Sequence, residues 1–274
     1  MQQTVTSLRL IPGFPSHDVD ISSEYISRKE AMTTPRVFIV RHGETQWSLN
    51  GRHTGSTDIP LTAAGEKRVR ATGRALVGPD RLIIPSNLAH VYVSPRKRAQ
   101  RTLELLGLGI DGLGEEGEGH KCGAKVEVRE EIREWDYGGY EGVTSKDIQE
   151  ERERKGEGEW DIWRDGCPGG ESPEDVTARC DKIIAEIRER FHAHAIGKPK
   201  GSVKEPYDVL IVAHGHILRS FAGRWVGKNI ADNPSLILEA GGVGTLSYEH
   251  HKLNEPAILL GGAFMSDVVE EAEK

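Results

Sequence analysis

Unbroken apolar runs rich in β-branched residues recur along the chain at Val37-Phe38-Ile39-Val40, His90-Val91-Tyr92-Val93 and Val209-Leu210-Ile211-Val212-Ala213. Each stops at a polar segment with turn-forming residues. A strand buried on both faces reads as such a run rather than as an alternation, so these segments are predicted to be interior strands of a parallel sheet. Between them, helical spacing extends over 62–77, 97–106, 144–155 and 173–193. Thr62 with Glu66 near it opens the first helix and Ser172-Pro173-Glu174 opens the last, both of which are helix-start signals. Strands alternating with helices predict an α/β fold, a three-layer sandwich with a mostly parallel central sheet flanked by helices.

Two stretches interrupt the alternation. Residues 107–124 are glycine-rich and acidic, offer little to pack, and are expected to form a mobile surface loop. Residues 196–206, with Gly197, Pro199, Gly201 and Pro206, read as a second connector. Neither reads as a domain boundary, because the strands on both sides belong to one alternation. The expected organisation is a single domain over 35–264, preceded by a loosely ordered extension over 1–34 and followed by an acidic tail over 265–274.

Composition narrows the function. The chain is long enough, at 274 residues, to bury a core without metals or disulfides. Its 36 basic and 43 acidic residues give a net charge of −7, which argues against broad binding to nucleic acid or to an anionic membrane, so any anion site must be a local pocket. Cys122, Cys167 and Cys180 are too irregularly spaced for a disulfide framework or structural zinc, which fits a reducing, cytoplasmic setting, with nuclear access left open. The first 34 residues mix acids and bases without a secretory apolar run, and no stretch approaches the roughly 18–20 apolar residues of a spanning helix.

The chemistry lies at the strand ends. Arg41-His42-Gly43 follows the first run, Ser94-Pro95-Arg96-Lys97-Arg98 the second, and His214-Gly215-His216 the third. Ligands of open α/β sheets sit outside the carboxyl ends of the strands, so these distant segments are predicted to converge on one crevice. Arg41 and Arg98 can each present a two-pronged fork to a phosphoryl group and together balance a dianion. A neutral imidazole held through one nitrogen can attack phosphorus with the other, a role suited to His42 beside the permissive Gly43. His214 would face the transferred group from the other side and stabilise its equatorial oxygens. The leaving alkoxide needs a proton from a carboxyl whose pKa is raised by burial and a nearby phosphate. Glu130, Glu131, Glu134 and Asp136 are all candidates, and local chemistry alone does not choose among them.

No metal and no cofactor are expected. His250-His251 has no carboxylate or cysteine at ligand spacing, and Gly241-Gly242 with Gly244 lacks both the P-loop lysine and the dinucleotide fingerprint. Trp135, Trp160 and Trp163 read more readily as packing than as a sugar-stacking surface.

Taken together, Arg41-His42-Gly43-Glu44-Thr45, Ser94-Pro95 with Arg98-Ala99 and Thr102, Glu134 before Tyr137-Gly138, and Ala213-His214-Gly215 resemble the histidine phosphatase superfamily, in its phosphoglycerate mutase-like branch, over about residues 35–264. The segments VRHGETQWSLNGRHTGSTDIPLT, REWDYGGYEG, WDIWRDGCPGGES, VAHGHILR and DNPSLILEAGGVGTLSYEHHKLNEPA are similar to the fungal sedoheptulose-1,7-bisphosphatases of that superfamily. The resemblance implies a phosphohistidine at His42, proton transfer through Glu134, and a phosphate pocket of Arg41, Arg98 and His214. It also implies substrate contacts from Ser48, His53, Thr54, Tyr137, Arg219 and His250. Ser48 stands where the mutases usually carry an asparagine, which tilts the balance from mutase toward phosphatase. The implied partner is a small phosphorylated sugar, sedoheptulose 1,7-bisphosphate first and fructose 1,6-bisphosphate second, with self-association left open. The rival readings are a phosphoglycerate mutase and a non-catalytic protein that binds phosphorylated ligands.

Overall fold

The computed structural model describes residues 32–113, 121–232 and 235–261. The strands are β1 (Val37–Arg41), β2 (Leu88–Val93), β3 (Lys125–Val128), β4 (Asp208–Ala213), β5 (Val243–Tyr248) and β6 (Pro256–Leu259). The α-helices are α1 (Gln46–Asn50), α2 (Ala63–Leu76), α3 (Lys97–Leu105), α4 (Ser145–Lys155), α5 (Ile162–Asp165), α6 (Pro173–Ile187) and α7 (Gly215–Trp225). The strands form one sheet in the order β3-β2-β4-β1-β5-β6, in which β1, β2, β3 and β4 pair in parallel. β5 runs antiparallel to both β1 and β6. The mostly parallel α/β sandwich expected from the sequence is present.

The apolar runs at 37–40, 90–93 and 209–213 form the centre of this sheet. Along β1 and β4, alternate side chains serve opposite faces, as the pleat requires. Val37, Ile39, Val209, Ile211 and Ala213 pack with Ile183, Ile184 and Ile187 of α6 and Phe221 and Trp225 of α7. Phe38, Val40, Leu210 and Val212 pack with Val69 of α2 and Leu103 of α3. Truncating one of these isoleucines or leucines to alanine would cost about 2–5 kcal/mol, because a filled core relaxes only partly around a cavity.

Helix starts follow the expected chemistry. Thr62 Oγ1 accepts the N–H of Gly65 at 2.9 Å, and Ser172 and Asp175 form a reciprocal capping box at the start of α6. Glu66 does not complete a box with Thr62; it pairs with Arg101 at 2.7 Å. The helix expected over 173–193 ends as an α-helix at Ile187 and widens into a π-turn over Arg188–His192. There the guanidinium of Arg188 lies 4.9 Å from the centre of a Trp225 ring, and His192 Nδ1 meets the Tyr248 hydroxyl at 2.7 Å.

The 107–124 segment packs more than expected at its ends. Leu108, Cys122 and Ala124 are buried in the second core cluster and Ile110 bridges Cys122, while residues 114–120 lie outside the described residues. Of the expected N-terminal extension, Met32 bridges Pro199 and Thr33 exchanges backbone hydrogen bonds with Lys198 and Gly197. Residues 1–31 and the expected tail over 265–274 lie outside the described residues. No helix among the described residues is long and apolar enough to cross a membrane.

Parallel register sets the site. Arg41 pairs with Ala213 and Val93 with Val212, so β1, β4 and β2 end side by side. The segments that follow them therefore emerge at one edge of the sheet.

Candidate active site

His42 follows β1 directly, and its N–H donates to the carbonyl of Ala213 at 2.9 Å, extending the β1–β4 pairing by one residue. Its Nδ1 lies 2.7 Å from the Gly43 carbonyl. A carbonyl can only accept, so Nδ1 carries the proton and Nε2 keeps its lone pair. Burial, then the charge of Arg98 and that of Arg41, pull the His42 pKa down to about 3 against the Gly43 hydrogen bond, so the ring is neutral at neutral pH.

Gly43 is required for space rather than for an unusual backbone angle. A Cβ there would stand 2.8 Å from Val69 Cγ2 and 3.1 Å from the Gly65 carbonyl oxygen. The Gly43 N–H donates to Thr102 Oγ1 at 3.0 Å, and that hydroxyl donates to the Arg98 carbonyl at 2.8 Å, tying the His42 loop to α3.

The ring of His214 lies 5.1 Å from that of His42, centroid to centroid, at 61°. Arg98 Nε donates to His214 Nδ1 at 3.1 Å. His214 Nε2 must then bear the proton, and it faces Ser94 Oγ at 2.6 Å. Burial, then the Arg98 charge, hold the His214 pKa well below the usual histidine range. Both ring nitrogens have protein partners, so in this arrangement His214 orients Arg98 rather than offering a free N–H to a phosphoryl oxygen.

Arg98 is fully buried. Its Nη1 donates to the Thr57 carbonyl at 2.9 Å, and its Nη2 donates to the carbonyls of Thr54 at 2.8 Å and Gly55 at 3.3 Å. The two-pronged phosphate contact expected of Arg98 is therefore not open in this conformation, because its Nη2 edge is turned to backbone oxygens. Glu141 holds the same loop from the other side, accepting the N–H groups of Gly55 and Thr57, each at 2.9 Å. Arg41 is less committed. Its Nη1 donates to the Leu238 carbonyl at 2.9 Å, and its buried Nε has no hydrogen-bond partner among the described residues. A Cβ on Gly215 would come 3.4 Å from that Nε, so the start of α7 is bare where Arg41 crosses it.

Burial separates the four carboxylates. Glu130 and Asp136 are exposed, and Glu131 pairs with Arg129 and Lys182 at the surface. Glu134 is 5% exposed. Its Oε1 accepts the N–H groups of Trp135 and Ile217, each at 2.9 Å, and its Oε2 accepts that of His216 at 3.1 Å. The carboxylate thus sits on the first turn of α7, where it takes up N–H groups that have no partner within the helix.

The remaining expected contacts separate. The hydroxyl of buried Tyr137 lies 2.8 Å from His216 Nδ1, and burial, then Glu134, raise its pKa well above the usual value, so the phenol stays protonated. The His53 ring lies 4.8 Å from that of Tyr137, and its Nε2 meets Ser145 Oγ at 3.2 Å. Arg219 lies 4.6 Å from the centre of a Trp163 ring, and burial, then the Arg41 charge, lower its pKa against the pull of Glu134. Thr54 contributes its carbonyl to Arg98, while its hydroxyl donates to the Arg52 carbonyl at 3.2 Å. The Ser48 hydroxyl is engaged in the cap of α1, accepting from Thr45 N–H and donating to Thr45 O, both at 2.8 Å.

His250 does not belong to the crevice. β5 runs antiparallel to β1, pairing Val243 with Val40 and Leu246 with Val37. Its exit toward His250 is therefore at the opposite edge of the sheet, where His250 is 71% exposed and pairs with Glu255 at 2.6 Å. Sequence reasoning named Ser94 and His216 only within the strand-end segments, without a role for either, and did not single out Glu141. Each acts on a neighbour through tertiary contact; Ser94 and His216, just beyond β2 and β4, carried a positional signal, and Glu141 carried none. Among the described residues, no group of three or more His, Cys, Asp or Glu side chains is placed to hold a metal.

A family model described as the histidine phosphatase superfamily, branch 1, matches residues 37–257. Sedoheptulose 1,7-bisphosphatase of Saccharomyces cerevisiae is 35% identical over 275 residues, covering 88% of this chain and 97% of that protein. An acid phosphatase of Mycobacterium tuberculosis is 34% identical over 215 residues, covering 78% of this chain and 87% of its own. A solved Mycobacterium tuberculosis open-reading-frame product superposes with a TM-score of 0.62 at 30% identity, over 84% of this chain and 98% of that one.

Proposed function

The chain belongs to the histidine phosphatase superfamily and is a phosphoric monoester hydrolase, and from this premise we propose that it removes one phosphate from a sugar bisphosphate, sedoheptulose 1,7-bisphosphate foremost, through a phosphohistidine at His42. The observation that carries the chemistry is the state of His42: neutral, protonated on Nδ1 by its bond to Gly43, with its lone pair on Nε2 and the charges of Arg98 and Arg41 acting on the ring. The sugar bisphosphate rests on 35% identity to the yeast enzyme across 88% of the chain, supported by the nearness of Arg219 to Arg41 as a second cation.

In the first displacement, His42 Nε2 forms a bond to phosphorus as the ester oxygen departs. Glu134 transfers a proton to that oxygen, so the sugar leaves as a neutral alcohol. Arg41, with its unpaired Nε and its position over Gly215, is suited to hold the phosphoryl oxygens, and Arg98 adds charge from a buried, oriented position. In the second displacement, the Glu134 carboxylate takes a proton from water, whose oxygen attacks phosphorus and releases His42 and inorganic phosphate. Tyr137, His53 and His216 form a polar aromatic wall beside Glu134 against which the sugar can rest.

The test is a panel of sedoheptulose 1,7-bisphosphate, fructose 1,6-bisphosphate, 3-phosphoglycerate and a phosphotyrosine peptide, compared by kcat/KM. An acid-labile phosphoenzyme should form with the preferred sugar bisphosphate and be lost in His42→Ala. Formation of 2-phosphoglycerate from 3-phosphoglycerate with a bisphosphate primer, in preference to phosphate release, would reassign the chain to mutase chemistry. Tight binding of sugar bisphosphates without any phosphoenzyme would make it a binding protein.

A further inference from the structure

Glu134 lies in the loop that follows β3, and a loop by itself is a poor platform for a proton donor. The neighbouring geometry supplies a brace. Arg179, on α6, and Glu171, just ahead of that helix, form a bidentate ion pair, Nε to Oε1 at 2.9 Å and Nη2 to Oε2 at 2.9 Å. Both are buried, each 8% exposed.

The remaining side-chain hydrogen bonds of this pair go to the 131–136 segment. Arg179 Nη1 donates to the carbonyls of Glu131 and Arg133, each at 2.8 Å, and Nη2 reaches the carbonyl of Glu134 itself at 3.4 Å. Glu171 accepts from Arg133 Nη2 at 2.8 Å and from the Asp136 N–H at 2.9 Å. Its backbone N–H donates to the Asp136 carbonyl at 2.9 Å, and its carbonyl accepts from Trp135 Nε1 at 3.0 Å. The two loops press so close that a Cβ on Gly170 would stand 2.2 Å from the Asp136 carbonyl oxygen. The pair thus holds the backbone on both sides of Glu134, while the Glu134 carboxylate is held separately by the start of α7.

We propose that Glu171 and Arg179 are positioning residues that hold Glu134 in place for proton transfer to the leaving group. This rests on the reading of Glu134 as the proton donor. A surface ion pair of this kind would contribute little, but a buried pair that also satisfies backbone carbonyls fixes a geometry rather than adding net stability. Proton donation depends steeply on that geometry.

Leaving-group chemistry separates this role from general support of the fold. A sugar alkoxide needs a proton to depart, whereas the nitrophenolate of p-nitrophenyl phosphate departs without one. Glu171→Gln, Arg179→Lys and Glu134→Gln are compared with the unaltered enzyme on sedoheptulose 1,7-bisphosphate and p-nitrophenyl phosphate, with near-ultraviolet circular dichroism reporting the fold. All three variants are expected to lose about a hundredfold or more in kcat on the sugar bisphosphate, with KM nearly unchanged, and less than about tenfold on the aryl phosphate. If Glu134→Gln shows that selectivity and the folded clamp variants lose both activities equally, or neither, the positioning role is wrong while the proton-donor reading stands. If Glu134→Gln itself loses both equally, the proton-donor reading falls and this inference with it. Should Arg179→Lys not fold, Glu171→Gln, which keeps the side-chain shape, decides.

Discussion

The Nε–H of Arg98 donates to Nδ1 of His214 over 3.1 Å, and through that bond a buried cation and a buried neutral histidine fix each other's state. The arginine dictates the His214 tautomer, and the histidine takes Nε, the one Arg98 nitrogen that the 54–57 carbonyls do not reach. Lysine carries the same charge but cannot supply both contacts from one nitrogen. Arg98→Lys should therefore lower kcat/KM on a sugar bisphosphate by about a hundredfold or more. Steady-state kinetics check it, and wild-type kcat/KM in a folded Arg98→Lys protein would show that charge alone suffices.

Gly43 adjoins the proposed nucleophile and has no room for a methyl group. Gly43→Ala should displace the His42 loop, cost about 1–3 kcal/mol of stability and cut phosphoenzyme formation by about tenfold or more. Adding Val69→Ala removes the nearer obstruction, Cγ2 at 2.8 Å, and should restore part of the activity. Thermal melts and phosphate trapping on the single and double variants decide it.

His250→Ala should leave kcat and KM within about twofold of wild type, because an exposed side chain at the far edge of the sheet has no path to the reacting atoms and surface changes of this kind cost little. A large rise in KM for the bisphosphate in this variant would contradict the placement of β5.

Asp208 opens β4 as a buried acid. Burial raises its pKa to about 7 against the hydrogen bond from the Arg36 N–H and the Arg36 charge. The unfolded chain holds the same group near 3.8, so between those values the folded state binds more protons. Its stabilising contribution is full below about pH 4 and is lost as pH rises through about 7. Asp208→Asn keeps an acceptor for the Arg36 N–H and removes the titration. At pH 8 the variant should be more stable than wild type by about 2–4 kcal/mol, and near pH 4 the two should converge. Denaturant melts at both pH values measure the difference, and parallel pH profiles would refute it.

The opposite sign holds for His192. Burial, then repulsion from Arg188 and His194, pull its pKa down to about 3. Its contribution is complete above about pH 6.5 and is lost as pH falls toward 3, because the unfolded chain takes up the proton first. His192→Gln should flatten the acid limb of the stability profile, as read from melts between pH 4 and 7.

How far the sequence reaches differs from element to element. The runs at 37–40, 90–93 and 209–213 were legible because strands covered on both faces admit little but apolar side chains. β3 was not, since Lys125-Val126-Glu127-Val128 lies on a sheet edge and mixes exposed with half-buried positions. The helices of 62–77, 97–106 and 144–155 were legible to within a residue or two, because periodicity and Thr caps act locally. The π-turn at Arg188–His192 was invisible, since it accompanies contacts with Trp225 and Tyr248, distant in sequence.

For the site, the sequence by itself determined which chemistry is available: arginines and histidines directly after three buried strands, and a carboxylate in a short acidic stretch. Residue types and their order suffice for that, because strand ends of a parallel sheet meet at one edge. Only the tertiary structure decided which carboxylate is buried on the first turn of α7, that Arg98 turns its fork toward the 54–57 carbonyls, that His250 leaves the site with the reversed β5, and that Arg179 and Glu171 brace the loop. The reason is physical. Burial, tautomer and strand direction are properties of what surrounds a residue, and those surroundings come from parts of the chain far away in sequence.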